Sequence, residues 1–182
     1  MEITKSNKIP EVVKIKPITY EDNRGEFLEL YSIKNYNFLP AETKFLQDNI
    51  SISKKNVLRG LHYQIEHPQG KLVTCLNGYI FDVAVDLRKN SKTFGQWTGF
   101  YLDGHHKEQI WIPEGFAHGF YTVTSNATIV YKNTDIYHKE NERTLLWNDI
   151  NINIFWGSTI MKPILSEKDK LGKSFTELLE EL

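Results

Sequence analysis

Between residues 79 and 87 the side chains alternate without a break. Tyr79, Phe81, Val83, Val85 and Leu87 fall on one face, and Ile80, Asp82, Ala84 and Asp86 fall on the other. A period of two is the mark of a β-strand whose faces meet different surroundings. Asn77-Gly78 just before it is a hairpin signal and predicts that residues 71–76 and 79–87 are antiparallel neighbours. Similar short runs rich in Val, Ile, Phe, Tyr and Thr recur at 27–32, 45–52, 57–64, 97–103, 108–112, 118–123, 127–136 and 143–147, separated by turn residues. Helical patterns are scarce. One is the chain end, where Ser174-Phe175-Thr176-Glu177 reads as a capping box before Leu178, Leu179 and Leu182; a short turn is expected at 33–36. Many short strands without alternating helices predict an all-β sandwich, barrel or jelly roll with a few short peripheral helices.

Composition narrows the function. At 182 residues, with no repeat, linker or low-complexity tract, the chain reads as one domain spanning residues 1–182. Ten Phe, nine Tyr and four Trp suit strands. A net charge of -1 argues against nucleic acid or an anionic membrane as partner. The single cysteine, Cys75, excludes a disulfide framework and reads as a buried strand residue. Neither a signal-peptide core nor a run of about 20 apolar residues is present, so the expected compartment is the cytoplasm.

Two histidines stand where chemistry is plausible. In Leu58-Arg59-Gly60-Leu61-His62-Tyr63-Gln64, alternation puts Leu58, Gly60, His62 and Gln64 on one face, unless a bulge near Gly60 re-aims Arg59. His118 follows a tight turn in Pro113-Glu114-Gly115-Phe116-Ala117-His118, which looks like the second motif of the cupins, small jelly-roll barrels that often hold a metal. The matching first motif supplies His62 and Gln64, an amide where a metal-binding relative has a ligand, so the donor set is poor for a divalent ion. A wet lumen lined by histidine and lacking a metal suits acid–base work. His62 then needs an orienting carboxylate, either Asp82 or Asp169, and a second proton carrier such as Tyr131.

Arg59-Gly60-Leu61-His62-Tyr63-Gln64, Gln69-Gly70-Lys71-Leu72-Val73, Phe81-Asp82-Val83-Ala84-Val85-Asp86-Leu87-Arg88, Trp111 through Phe120 and Leu165-Ser166-Glu167-Lys168-Asp169 occur in this order. Together they closely resemble the dTDP-4-dehydrorhamnose 3,5-epimerase family, from about Asp22 to Asp169. The resemblance implies a cupin-type jelly-roll barrel, a homodimer, no cofactor and no metal. It implies inversion of C3 and C5 of dTDP-4-dehydro-6-deoxy-D-glucose in the dTDP-L-rhamnose pathway. The C4 ketone acidifies both neighbouring C–H bonds, so removing a proton gives an enolate, and returning one to the other face inverts the centre. By the same resemblance His62 is the base, Asp169 orients it, Tyr131 is the acid and Lys71 stabilises the oxyanion, with Asp82 a partner for Lys71.

Substrate-binding positions carry over one by one. Arg24 and Glu29 match nucleotide-contacting residues donated by a second subunit, and Gln47 and Asn49 lie in another stretch lining the nucleotide. Arg59 and Lys168 suit the pyrophosphate, His118 the sugar or phosphate, Tyr137 a ring stacked on thymine, and Glu142 a polar contact beside it. Within the family, the alternatives are a C3-only epimerase and an enzyme acting on another 4-keto sugar, such as a GDP-linked heptose. Outside it stand a sugar ketoisomerase, a metal-dependent cupin oxygenase and a non-catalytic sugar-binding jelly roll.

Overall fold

A computed structural model of the protein describes residues 1–157, 160 and 162–181. In chain order the strands are β1 (Glu2–Lys5), β2 (Val13–Lys16), β3 (Thr19–Asp22), β4 (Gly25–Leu28), β5 (Gln47–Lys54), β6 (Leu58–Gln64) and β7 (Lys71–Asn77). They continue with β8 (Tyr79–Asp86), β9 (Trp97–Asp103), β10 (Gln109–Ile112), β11 (Phe116–Thr122), β12 (Asn126–Asn133) and β13 (Glu142–Thr144). Two short helices follow, α1 (Glu167–Lys170) and α2 (Phe175–Leu179). A six-stranded sheet has the order β1-β2-β10-β7-β12-β5, a five-stranded sheet the order β13-β6-β11-β8-β9, and β3-β4 form a separate hairpin.

The two large sheets enclose a core as a jelly-roll barrel of cupin type. Val73, Cys75, Ile110, Ile112 and Ile129 from the six-stranded sheet meet Ile80, Ala84, Leu102, Phe116 and Phe120 from the five-stranded one. Cys75 is buried there, and burial pushes its thiol up to about 12, so it is an inert packing residue. Each sheet is also covered on its outer side. Tyr36 and Leu39, from the segment before β5, lie over Val13, Ile15, Leu72 and Trp111. The C-terminal segment lays Leu145, Ile152, Trp156 and Leu178 over Phe81, Val83 and Val85. The interior strand β8 is thus buried on both faces, and its alternation distinguishes two cores rather than core from solvent.

That layering overturns the expected hairpin at Asn77-Gly78. β7 pairs with β10 and β12, whereas β8 pairs with β9 and β11, so the dipeptide carries the chain from one sheet to the other. Gly78 has φ +82°, and a β-carbon there would meet the Asn126 carbonyl oxygen at 2.2 Å. An Asn-Gly pair specifies a left-handed turn but not whether the strands it joins will pair. Strands β1, β2 and β3, four residues each, were not foreseen, and the 27–32 strand is instead the hairpin β3–β4, ending at Leu28. The capping box is present at Ser174, with Leu178 buried. Leu182, also expected in that helix, lies outside the described residues.

A bulge decides which side chains enter the barrel mouth. His118 of β11 faces His62, yet Phe120 faces Arg59, so β6 advances three residues while β11 advances two. Gly60 makes this possible: at φ +116°, any β-carbon would sit 2.6 Å from Gly119 Cα and from the His118 carbonyl oxygen. In consequence Leu58, expected beside His62, joins Leu61 and Tyr63 in the outer core, and Arg59 turns inward with His62.

Candidate active site

The barrel mouth holds a cavity of about 340 Å³. His62 and Arg59 enter it from β6, His118 and Phe120 from β11, Lys71 from β7, Tyr131 and Asn133 from β12, and Gln47 and Asn49 from β5. Tyr137, Glu142 and Lys168 close the rim. The register accounts for the grouping: His62 is opposite His118, Asn49 opposite Tyr131, and Asn133 opposite both Gln47 and Lys71. His62 and Tyr131 therefore reach one space from opposite sheets.

Two imidazole–carboxylate pairs lie along this wall. His62 Nε2 is 2.6 Å from Asp169 Oδ1, and Asp169 is only 3% exposed. Asp169 sits in α1, whose N-cap Ser166 hydroxyl accepts a hydrogen bond from the Asp169 backbone N–H at 3.1 Å. Burial would raise the Asp169 carboxyl, but its hydrogen bonds with His62 and Ser166 and the charge of Lys168 hold it below its ordinary value. An ionised carboxylate only accepts, so Nε2 carries a proton and Nδ1 of a neutral ring keeps its lone pair. The other candidate carboxylate, Asp82, serves His118 instead, with both oxygens within 3.0 Å of Nε2. Asp82 is fully buried, which pushes its carboxyl up, while His118 and Lys71 oppose the shift.

Lys71 is 8% exposed, and burial pulls its ammonium down to about 8, with Asp82 and Glu142 opposing the drop. Among the described residues its Nζ has no hydrogen-bond partner in the protein, so a cation near its protonation midpoint faces the cavity. Tyr131 is raised by burial and by Glu142, with Arg59 opposing, and its phenol stays protonated near neutrality. The arrangement offers a base, an acid and a cation around one small polar space, which is what enolisation beside a ketone requires. It also sets a pH dependence. Below about 8 Lys71 is charged and stabilises an oxyanion; above that pH the charge is lost. We expect kcat/KM to fall as pH rises through that value. The pH–rate profile of Lys71→Met should be slower throughout and lack that alkaline limb; an unchanged limb would assign it to another group.

The rim is held by charge. Glu142 accepts hydrogen bonds from Lys168 Nζ at 2.7 Å and from the Tyr137 hydroxyl at 2.9 Å. Burial would raise its carboxyl, but these bonds keep it below the ordinary value. Arg59 donates to Ser53 at 2.9 Å across the two sheets. Of the residues expected at the site, Arg24 and Glu29 are not brought to this cavity. Arg24 lies on the exposed β3–β4 turn paired with Asp22 at 2.5 Å, and Glu29 accepts from Asn35 at 2.7 Å. Gln69, Phe120 and Asn133 line the cavity without having been singled out. Phe120 and Asn133 lie two residues beyond His118 and Tyr131, so strand alternation from those two was the available signal.

Comparison with known proteins agrees with this geometry. The family model described as dTDP-4-dehydrorhamnose 3,5-epimerase matches residues 6–177. The dTDP-4-dehydrorhamnose 3,5-epimerase of Shigella flexneri is 48% identical over 93% of this chain and 94% of its own length. That of Pseudomonas aeruginosa is 47% identical over 93% of each. The dTDP-6-deoxy-D-glucose-3,5-epimerase of Legionella pneumophila, solved in complex with dTDP-4-keto-L-rhamnose, superposes with a TM-score of 0.92. It is 45% identical, with 99% of this chain and 95% of that one covered. A family model that spans residues 6–177 and this breadth of sequence and structural similarity place the chain in the dTDP-4-dehydrorhamnose 3,5-epimerase family.

Proposed function

We propose that this protein converts dTDP-4-dehydro-6-deoxy-D-glucose to dTDP-4-dehydro-L-rhamnose by inverting C3 and C5, with no metal ion or cofactor. The observation that carries the reading is the pairing of a carboxylate-backed His62 with Tyr131 on the facing sheet around an uncommitted Lys71. In each half-reaction His62 Nδ1 takes the proton from the carbon beside the C4 ketone. The C–H electron pair moves into the C–C bond, the carbonyl becomes an enolate, and Lys71 faces its oxygen. Tyr131 returns a proton to the opposite face, the carbonyl re-forms, and proton exchange with water resets both groups. No atom is gained or lost and nothing is oxidised.

Metal independence is supported by the donor set. Beside His62 and His118, Gln64 stands where a third ligand is expected but spends its amide on the backbone of the rim loops, and Glu142 is held by Lys168 and Tyr137. Arg59 and Lys168 offer the positive charge that a pyrophosphate requires, and Tyr137 an exposed ring for the base. A homodimer is part of the proposal. Arg24 and Glu29 stand outside their own cavity, next to Phe27, which is 70% exposed. Ile50 and Ile52 are likewise exposed along the edge strand β5. A second subunit covering these surfaces would place its Arg24 and Glu29 against the nucleotide. The cytoplasm remains the expected compartment.

The test is exchange in heavy water. Chelator-treated protein, shown to be a dimer by sedimentation, should place deuterium at both C3 and C5 of the sugar, as read by mass spectrometry and NMR. Deuterium at C3 alone would make this a single epimerase. No exchange would sink the substrate assignment, and exchange that needs added metal would sink metal independence.

A further inference from the structure

Outside the catalytic cavity, two loops bring together residues that the epimerase chemistry does not use. His67 follows β6, while Asp135 and His138 follow β12. One ligand atom from each lies within 4.8 Å of the others. His67 Nδ1 is 3.4 Å from Asp135 Oδ2, and the His67 and His138 rings stack with centroids 4.3 Å apart. Glu140 adds a carboxylate oxygen 3.4 Å from His138 Nδ1.

The backbone beneath these side chains is fixed by two side-chain amides, of buried Gln64 and half-buried Gln69. Gln64 donates to the carbonyls of His67 at 2.7 Å and Ile136 at 3.3 Å, and accepts from the His138 N–H at 2.7 Å. Gln69 donates to the Asp135 carbonyl at 2.8 Å. Asp135 Oδ1 is taken by the Ile136 N–H at 2.7 Å, which leaves Oδ2 turned toward His67. Two loops far apart in sequence are thus held with two imidazoles and a carboxylate converging.

We propose that His67, Asp135 and His138 form a binding site for a borderline divalent transition ion of the Zn²⁺ class, with Glu140 or water as fourth ligand. Two nitrogens and one or two carboxylate oxygens suit such an ion at about 2.0–2.2 Å, whereas Mg²⁺ and Ca²⁺ favour all-oxygen shells. Tetrahedral donors stand roughly 3.3 Å apart at those bond lengths. The stacked rings must therefore splay so that their in-plane lone pairs converge, a motion open to His67, whose side chain is 53% exposed. The bound ion would join the 65–68 loop to the loop carrying Tyr137, one wall of the catalytic cavity, without touching the reacting groups.

The test is calorimetric titration of untagged, chelator-stripped protein with Zn²⁺. One ion per chain is expected, no uptake of Mg²⁺, and binding roughly tenfold or more weaker in His67→Ala and in His138→Ala. Both variants should keep wild-type epimerisation in chelator, which shows that they fold and separates this site from the catalytic reading. No Zn²⁺ binding by the wild type, or equal binding by both variants, would overturn the site whatever the epimerase assay returns.

Discussion

His62→Ala should lower kcat by roughly 10²–10⁴-fold while leaving the affinity for dTDP within a fewfold of wild type. The rate falls because the variant removes the carboxylate-backed imidazole on the sheet facing Tyr131. His118 shares Nε2 with both oxygens of buried Asp82, and Glu142 is held by Lys168 and Tyr137. Binding persists because Arg59, Lys168 and Tyr137 lie on other parts of the cavity wall. Single-turnover kinetics with dTDP-4-dehydro-6-deoxyglucose, beside calorimetry with dTDP, separate the two effects. A variant retaining a near-normal rate would remove His62 from the role of base, and one that lost both rate and dTDP affinity would make it a binding residue.

Asp169→Asn should be comparably damaging, by about 10²–10⁴-fold in kcat, with the fold intact. The change is nearly isosteric but reverses the hydrogen bond. Asp169 accepts from His62 Nε2 at 2.6 Å, whereas an amide placed to donate would demand a bare Nε2 and move the proton to Nδ1. The nitrogen facing the sugar would then have no lone pair for the C3 or C5 proton. Asp169 acts through His62, so its effect should appear in kcat and in the imidazole nitrogen chemical shifts more than in KM. ¹⁵N-histidine NMR of the two proteins reads the tautomer directly. If Asp169→Asn left both the shifts and kcat unchanged, the carboxylate would be structural only.

Much of the site was legible because strand alternation is rigid: His62, His118, Lys71 and Tyr131 each stand on a strand, and the register delivers all four to one cavity. What alternation could not carry were departures from it. The bulge at Gly60 moved Leu58 out and Arg59 in, and it can be argued from a glycine but not located by one. Asn77-Gly78 predicts a hairpin that does not form, since a dipeptide encodes its own dihedral angles and nothing about which edge of a strand is already occupied. Whether Asp82 or Asp169 served His62 was undecidable from spacing alone, because the two are 20 and 107 residues from it and only the tertiary fold brings either near. Helix α1 is four residues long and leaves no periodicity to read.

The carboxylate behind His62 comes from a segment that follows every strand of the barrel. Asp169 is held between two isolated bridges that lay the terminal segment along the barrel, Ile164 on Val57 and Lys173 on Leu145. Every other cavity residue except Lys168 lies at or before residue 142. The strands thus bring acid, cation and imidazole together, while the proton on that imidazole is placed by a segment that lies along the barrel from outside its sheets. Whatever loosens that segment should unset the base without emptying the cavity.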